Sequence, residues 1–218
     1  MTRTIAIVGE DRGSGGPSAF LLAASAGYLV YNFTDAEAFL DAELAQRADC
    51  VLLNLRRPGA EGLALMRTLA KRPDPPSVLV MSEGANVQLA VEAMKLGAVD
   101  FLEKPYRPPE LLAAIELACL QCEQSLREAE AKRRAVARVT NLPLRLRQVL
   151  RSLAMGRANK LIAYELGLSI RTVEAYRADL FARLGVRTTA EAIRIALAAD
   201  TDRLGADGLP NASFVRRA

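Results

Sequence analysis

The feature of the sequence that most restricts its fold is an alternation of short apolar runs with helical patterns in its first half. The apolar, β-rich runs lie at residues 5–8, 29–33, 50–53, 78–81 and 99–102. The helical patterns lie at residues 17–26, 35–46, 61–71 and 86–96. Repeated strand–helix–strand units form a parallel sheet that helices cover on both faces. We therefore expect an α/β domain with a doubly wound, five-stranded parallel sheet and a site at the carboxyl ends of its strands.

A long helical segment follows, because the chain contains neither Gly nor Pro between Pro109 and Pro143. Seven of its residues are spaced alternately four and three apart: Ile115, Cys119, Cys122, Leu126, Ala129, Arg133 and Val136. This is the repeat of a coiled-coil seam. It predicts a dimer linker through Ile115, Cys119, Cys122 and Leu126. The spacing of the two cysteines favours small core or seam residues, and the alternative is that their oxidation across the seam tunes dimer stability. The alternative is a last helix packed on its own sheet, followed by a charged, flexible linker over residues 127–138.

The remainder of the chain has a wholly helical pattern, with turns at Gly156, Gly167 and Gly185. Four helices fit, at residues 143–154, 159–166, 170–184 and 189–199. We therefore expect four segments: an α/β domain over residues 1–120, a helical linker over 121–140, an all-α domain over 141–200 and a disordered tail over 201–218.

Composition narrows the functional classes. The chain contains no His, which removes imidazole catalysis and imidazole metal ligands, and three Cys, an odd number without a disulfide spacing pattern. No signal peptide or long uncharged apolar run is present, so we expect a soluble, cytoplasmic protein without membrane partners. Residues 141–200 contain ten Lys and Arg against five Asp and Glu, a net charge of +5. A polyanion would therefore bind to the C-terminal domain.

Residues 159–184 have the pattern of two crossed helices. Ala163 allows close helix approach, Gly167 permits a left-handed turn, and Val173 would be buried between the helices. Ile162, Leu166 and Leu168 complete this predicted core. Ser169 is the expected N-cap of the second helix.

Burying Val173, Leu180 and Leu184 would turn the other side of the second helix outward. The residues on that side are Arg171, Thr172, Glu174, Ala175, Arg177 and Ala178. Such a helix fits the major groove, where Glu174 can accept a hydrogen bond from cytosine and Ala175 can touch a thymine methyl group. Thr172 and Ala178 are further candidates for base contacts, and Lys160, Arg171 and Arg177 for phosphate contacts. The alternative is a solvated helix face.

The pairs Asn159-Lys160 and Ile162-Ala163, with Thr172-Val173-Glu174 and Leu184-Gly185-Val186, resemble the LuxR-type helix-turn-helix of FixJ/NarL-family response regulators. The resemblance covers residues 142–199. It implies that the outward residues approach the major groove, that the helix from Thr189 helps to dimerise, and that dimers bind paired half-sites. Two positions depart from the family: Tyr176 replaces a usual histidine, and Leu146 replaces a usual glutamate.

Residues 1 to about 120 resemble the receiver domain of the same regulators, most clearly over residues 53–62 and 89–105. A working receiver gathers carboxylates that bind Mg²⁺, and one aspartate accepts the phosphoryl group. The resemblance implies a degenerate pocket here, formed by Gly9, Glu10, Asp11, Asn54, Ser82, Phe101 and Lys104. Asn54 stands at the phosphoacceptor position and Gly9 at an acidic position, so aspartyl phosphorylation is disfavoured. Lys104 either remains as a relic or bonds the Asn54 carbonyl to hold one fixed conformation.

These residues predict a DNA-binding transcription regulator of the two-component type. It would act as a homodimer on double-stranded DNA, independently of phosphorylation, with a sensor or regulator protein as a further partner at the receiver-like domain. The alternative is an adaptor that acts by sequestration through the surface near Phe101 and Tyr106. The glycine-rich residues 12–16 favour a plain turn over an anion-binding loop. We expect no enzymatic activity, cofactor or metal.

Overall fold

The computed structural model describes residues 2–9, 18–42, 47–55, 60–84 and 87–199. Within these ranges the chain forms five strands and nine helices, which divide into two compact units, residues 1–127 and 128–218. The expectations for Glu10, Asp11, the glycine-rich residues 12–16 and the tail 201–218 lie outside the described residues.

The first unit contains a five-stranded sheet. Its strands are β1 (Thr4–Val8), β2 (Leu29–Phe33), β3 (Cys50–Leu55), β4 (Ser77–Glu83) and β5 (Ala98–Lys104). Its helices are α1 (Ala19–Ser25), α2 (Ala36–Asp41), α3 (Ala60–Leu69), α4 (Val87–Lys95) and α5 (Pro108–Thr140), the last of which continues into the second unit. All strand pairs are parallel, in the order β2-β1-β3-β4-β5. The predicted doubly wound fold is therefore confirmed.

Side chains that alternate in direction along each strand form a separate apolar layer on each face of this sheet. Successive side chains of a strand point to opposite faces, so Ala6 and Val8 pack with α2, α3 and α4. Ile5 and Ile7 pack on the other face with α1 and α5. The interior strands read as continuous apolar runs because both faces are covered.

A polar cluster fastens α5 to the first strand. The Arg3 guanidinium contacts Glu116 at 2.9 Å and Glu123 at 3.0 Å, and the Tyr28 hydroxyl donates to Glu116 at 3.0 Å. The hydrogen bonds from Arg3 and Tyr28 lower the pKa of Glu116. These contacts, together with the apolar layer beneath them, fix the rotation of α5 on the sheet.

The predicted coiled-coil seam is wrong for three of its residues. Ile115 and Cys119 are fully buried in the core of their own domain, and Cys122 is 4% exposed. Side chains that pack on their own sheet cannot also form a seam with a second copy, which confirms the alternative of a last helix on its own sheet. Leu126 is half-buried. Residues 127–138 continue the helix, so the flexible linker in that alternative is wrong.

The second unit packs four helices against the last turns of α5. They are α6 (Leu144–Ala154), α7 (Asn159–Leu166), α8 (Ile170–Leu184) and α9 (Thr189–Ala198). The core collects one apolar stripe from each element, for example Val139 from α5, Val149 from α6 and Ala196 from α9. The predicted bounds of α7 and α8 agree with the structure. In the part of the chain that the structure describes, each helix is too short or too polar to cross a membrane.

We expect the cysteines to be unreactive in the native protein. Burial raises the pKa of Cys119 to about 12 and also raises the pKa of Cys50 and of Cys122, so the nucleophilic thiolate is scarce at neutral pH. Titration with an aromatic disulfide reagent should label no thiol rapidly at neutral pH and all three in guanidinium chloride. A fast-labelling native thiol, or a disulfide-linked dimer on a non-reducing gel, would contradict this placement.

Candidate nucleic-acid interface

The angle between α7 and α8 is set by a short turn. Gly167 adopts the left-handed conformation, with φ of 65°, which side chains with a Cβ atom rarely adopt. The Leu168 amide then donates to the Ala163 carbonyl at 2.8 Å and closes the end of α7. The Ser169 hydroxyl accepts from the Thr172 amide at 3.1 Å, which confirms the predicted N-cap.

One side of α8 is buried and anchors the helix. Val173 and Leu180 are fully buried, and Leu184 is 1% exposed, in a core that includes Ile162 and Ala163 of α7. These residues recur at helical spacing and therefore form a single inward stripe. The position of the stripe fixes which side chains of α8 face solvent.

The opposite side of α8 is open. Arg171, Glu174, Ala175 and Ala178 are all exposed, as predicted, and Lys160 is exposed on α7. Thr172 is half-buried, and its hydroxyl group lies 2.8 Å from the Ser169 hydroxyl. The four exposed residues that the sequence predicted therefore present one cation, one carboxylate and two methyl groups on the outer side of α8.

Arg177 does not belong to that open side, so its predicted outward placement is wrong. It is half-buried, and its guanidinium donates to Asn159 Oδ1 at 2.7 Å and to Thr189 Oγ1 at 2.8 Å. The same group lies 5.7 Å from the centre of the Phe181 ring, within the range of a cation–π contact. Arg177 thereby connects α8 to the first residues of α7 and α9.

Both departures from the family pattern are accommodated in the core. Leu146 is 2% exposed among the apolar side chains of α6, and Tyr176 is half-buried against the same cluster. An apolar side chain at position 146 removes the cost of burying a charge there. Neither residue disturbs the exposed side of α8.

The carboxyl ends of β1 and β3 meet at Gly9 and Asn54. The Asn54 Nδ2 atom donates to the Gly9 carbonyl at 2.9 Å, so the two strands are joined by a neutral hydrogen bond. Gly9 has a φ of 77°, and a Cβ atom added there would lie 3.3 Å from the Asn54 carbonyl oxygen. A larger residue at position 9 would therefore strain the strand end.

The other described residues of the predicted pocket lie on β4 and β5. Ser82 is buried, and its hydroxyl donates to the Leu55 carbonyl at 3.3 Å. Phe101 packs partly buried against the core, and Lys104 is half-buried. Lys104 and Asn54 share no hydrogen bond, so the predicted Lys104–Asn54 bond is wrong. Among the described residues, no group of three or more acidic or Cys side chains could hold a metal ion.

Both units match models of known families. Residues 5–116 match the response regulator receiver domain, and residues 140–196 match the luxR family of bacterial regulatory proteins. The transcriptional regulatory protein FixJ of Bradyrhizobium diazoefficiens is 42% identical over 175 residues, which cover 80% of this chain and 85% of that protein. The chain belongs to the FixJ-type response regulators. FixJ of Rhizobium meliloti is 36% identical, over 89% of this chain and 95% of that protein.

Solved structures of similar proteins have the same order of domains. The response regulator StyR is 29% identical and superposes with a TM-score of 0.72, covering 90% of this chain and 99% of that one. Full-length FixJ from B. japonicum is 39% identical and superposes with a TM-score of 0.53, over 92% and 98% of the two chains. The protein is therefore a transcriptional response regulator with a receiver domain and a LuxR-type DNA-binding domain.

The sequence did not reveal the role of Asn159 and Thr189 as acceptors for Arg177. They lie 18 and 12 residues from it, so no helical periodicity links the three. Only the resemblance placed Asn159 beside Lys160 in a shared motif, and it did not indicate the bond.

Replacing Arg177 should therefore weaken the DNA-binding domain itself. Arg177→Gln removes two half-buried charged hydrogen bonds, which we expect to cost about 1–3 kcal/mol. Arg183→Gln is the matched control on the same helix, because its exposed pair with Asp179 contributes at most about 1 kcal/mol. Hydrogen exchange of α7 amides should accelerate in the first variant and not in the second. Equal exchange in both variants would contradict the assigned role of Arg177.

Proposed function

We propose that this response regulator binds duplex DNA as a dimer and independently of aspartyl phosphorylation. The exposed outer side of α8 carries the proposal. That side projects from a packed helical domain, and a helix of this diameter fits the major groove. Arg171 and Glu174 are exposed to solvent on that side and are not buried inside the domain.

The exposed side chains divide into two roles. Glu174 is suited to accept a hydrogen bond from a cytosine amino group, and Ala175 and Ala178 offer methyl surface to thymine. Lys160 and Arg171 are suited to contact phosphates, which would fix the register of the helix in the groove. The Ser169–Thr172 hydroxyl pair at 2.8 Å leaves Thr172 as a weaker candidate for reading a base.

Phosphorylation independence is supported by the chemistry at the ends of β1 and β3. If Asn54 stands at the phosphoacceptor position, the site offers an uncharged amide, which is a poor nucleophile. The Asn54 Nδ2 atom already donates to the Gly9 carbonyl, and Gly9 supplies no carboxylate for Mg²⁺. The neutral hydrogen bond between Asn54 and Gly9 would then keep the pocket in one conformation.

Dimerisation is proposed through α9, since the three buried residues of α5 are unavailable. The Leu197 side chain on α9 is 67% exposed, more than any other large aliphatic side chain among the described residues of this domain. A second copy covering Leu197 would remove this apolar surface from water. Two recognition helices related by a two-fold axis would then read paired half-sites.

Duplex binding should depend on the two proposed phosphate contacts. Each contact contributes about −0.9 to the slope of log affinity against log salt, so Lys160→Gln/Arg171→Gln should reduce the slope by roughly 1.8. Arg107→Gln/Arg127→Gln removes the same charge from exposed positions of the first unit and is the matched control. Fluorescence anisotropy of a labelled duplex at several salt concentrations measures both slopes. Equal slopes for the two variants would contradict the interface and favour the adaptor function.

Acetyl phosphate should have no effect on the protein. Without an aspartate nucleophile at position 54, incubation with acetyl phosphate and Mg²⁺ should add no phosphoryl mass and leave duplex affinity unchanged. Intact-protein mass spectrometry and the anisotropy measurement on the same sample test the two parts. A phosphorylated species, or an affinity that rises with it, would overturn phosphorylation independence.

A further inference from the structure

A groove of about 710 Å³ lies within the second unit, between the last turns of α5, the turn after α8 and the outer side of α9. Its apolar floor includes Ala135 from α5, Val186 from the turn and Ile195 from α9. This volume lies within the roughly 300–1,000 Å³ of small-molecule sites. None of the contacts assigned to duplex binding uses this groove.

Arginines surround the groove. Arg134 and Arg138 come from α5, Arg187 from the turn and Arg194 from α9. Arg134 pairs with Glu130 at 2.6 Å. Within the described part of the chain, the side chains of Arg138, Arg187 and Arg194 form no ion pair or hydrogen bond with one another or with other residues. Three guanidinium groups therefore face the groove without a bonded partner among those residues.

Glu191 is the one acidic residue among the described residues that line the groove. Its carboxylate accepts from the Arg187 amide at 2.8 Å, and this hydrogen bond is the main cause of its lowered pKa. Glu191 is therefore ionised at neutral pH and held at the N-terminal end of α9. The charge of Arg194 also lowers the pKa of Glu191. Three arginines without a hydrogen-bonded partner against this one carboxylate leave a net positive charge above an apolar floor.

We propose that this groove binds a small amphipathic anion, with a carboxylate, phosphate or sulfonate group on Arg138 and Arg194 and an apolar body on Ala135, Val186 and Ile195. Guanidinium groups bind such anionic heads by charge-assisted hydrogen bonds. The apolar floor gives the remainder of the ligand a surface that excludes water. The ligand would connect the end of α5 to α9 and so stabilise the domain that carries the recognition helix.

The groove is distinct from the two surfaces proposed for other partners. Gly185, at the groove, follows Glu174 by about 11 residues of helix, or roughly 16 Å, so the groove lies apart from the residues proposed to read bases. Leu197, the proposed dimer contact, does not line the groove. It lies about 60° around α9 from the lining residue Arg194 and about 100° from Ala198. The proposal does not depend on duplex binding, because the groove can be titrated without DNA.

The probe for the test is anilinonaphthalene sulfonate, an anion with an apolar body, and its neutral comparator is N-phenylnaphthylamine. Both are titrated by fluorescence into the full chain, its Arg138→Gln/Arg194→Gln variant and the Arg107→Gln/Arg127→Gln control. We expect the groove variant to bind the sulfonate at least about tenfold more weakly, since each lost charge-assisted bond costs roughly that factor. The control should bind like the unaltered protein, and the neutral probe should not distinguish the three. Circular dichroism confirms that all three are folded.

Equal sulfonate affinity in the groove variant and the control would overturn the proposal. Duplex anisotropy and light scattering on the same samples identify the occupant in that case. If duplex affinity falls only in the groove variant, the arginines contact DNA phosphates. If the dimer fraction falls instead, the groove is covered by a second copy of the chain. Loss of sulfonate binding with unchanged duplex affinity supports an anion site in the groove. This result does not depend on whether α8 contacts DNA bases.

Discussion

Burial of the inner stripe of α8 is the interaction on which the rest of the DNA-binding domain depends. Val173, Leu180 and Leu184 lock the helix into a core shared with α6, α7 and α9. Because a helix has a fixed periodicity, burying this stripe determines which side chains remain outside. Arg171 and Glu174 are exposed as a consequence of this packing. The hydrogen bonds from Arg177 to α7 and α9 also stabilise the orientation of α8.

The receiver domain has an uncharged pair of residues, Gly9 and Asn54, at the carboxyl ends of β1 and β3. The sheet, its two apolar layers and the buried Ser82 do not require an acidic pocket, so they persist beside a neutral pair. The bond from Asn54 to the Gly9 carbonyl joins β1 and β3 without a charged group. An arginine-lined groove in the other unit offers a separate place where a ligand can act on the protein.

The sequence predicted most of the fold because local pattern and tertiary packing agree. Alternating apolar runs located every strand, and the Gly167 turn with its Ser169 cap located α7 and α8 to the residue. The seam at Ile115 and Cys119 failed because a helix that packs on its own sheet repeats its apolar residues at the same spacing as a coiled coil. The role of Arg177 and the groove were not predictable, since both join residues distant in the sequence.

Chromatin immunoprecipitation with sequencing tests the central claim, that the exposed side of α8 brings this protein to DNA. The unaltered protein is compared with Lys160→Gln/Arg171→Gln, whose side chains are exposed and make no contribution to the core. At equal protein levels, the account predicts discrete enriched sites for the unaltered protein and their loss in the variant. The same sites at the same occupancy in both proteins would contradict it.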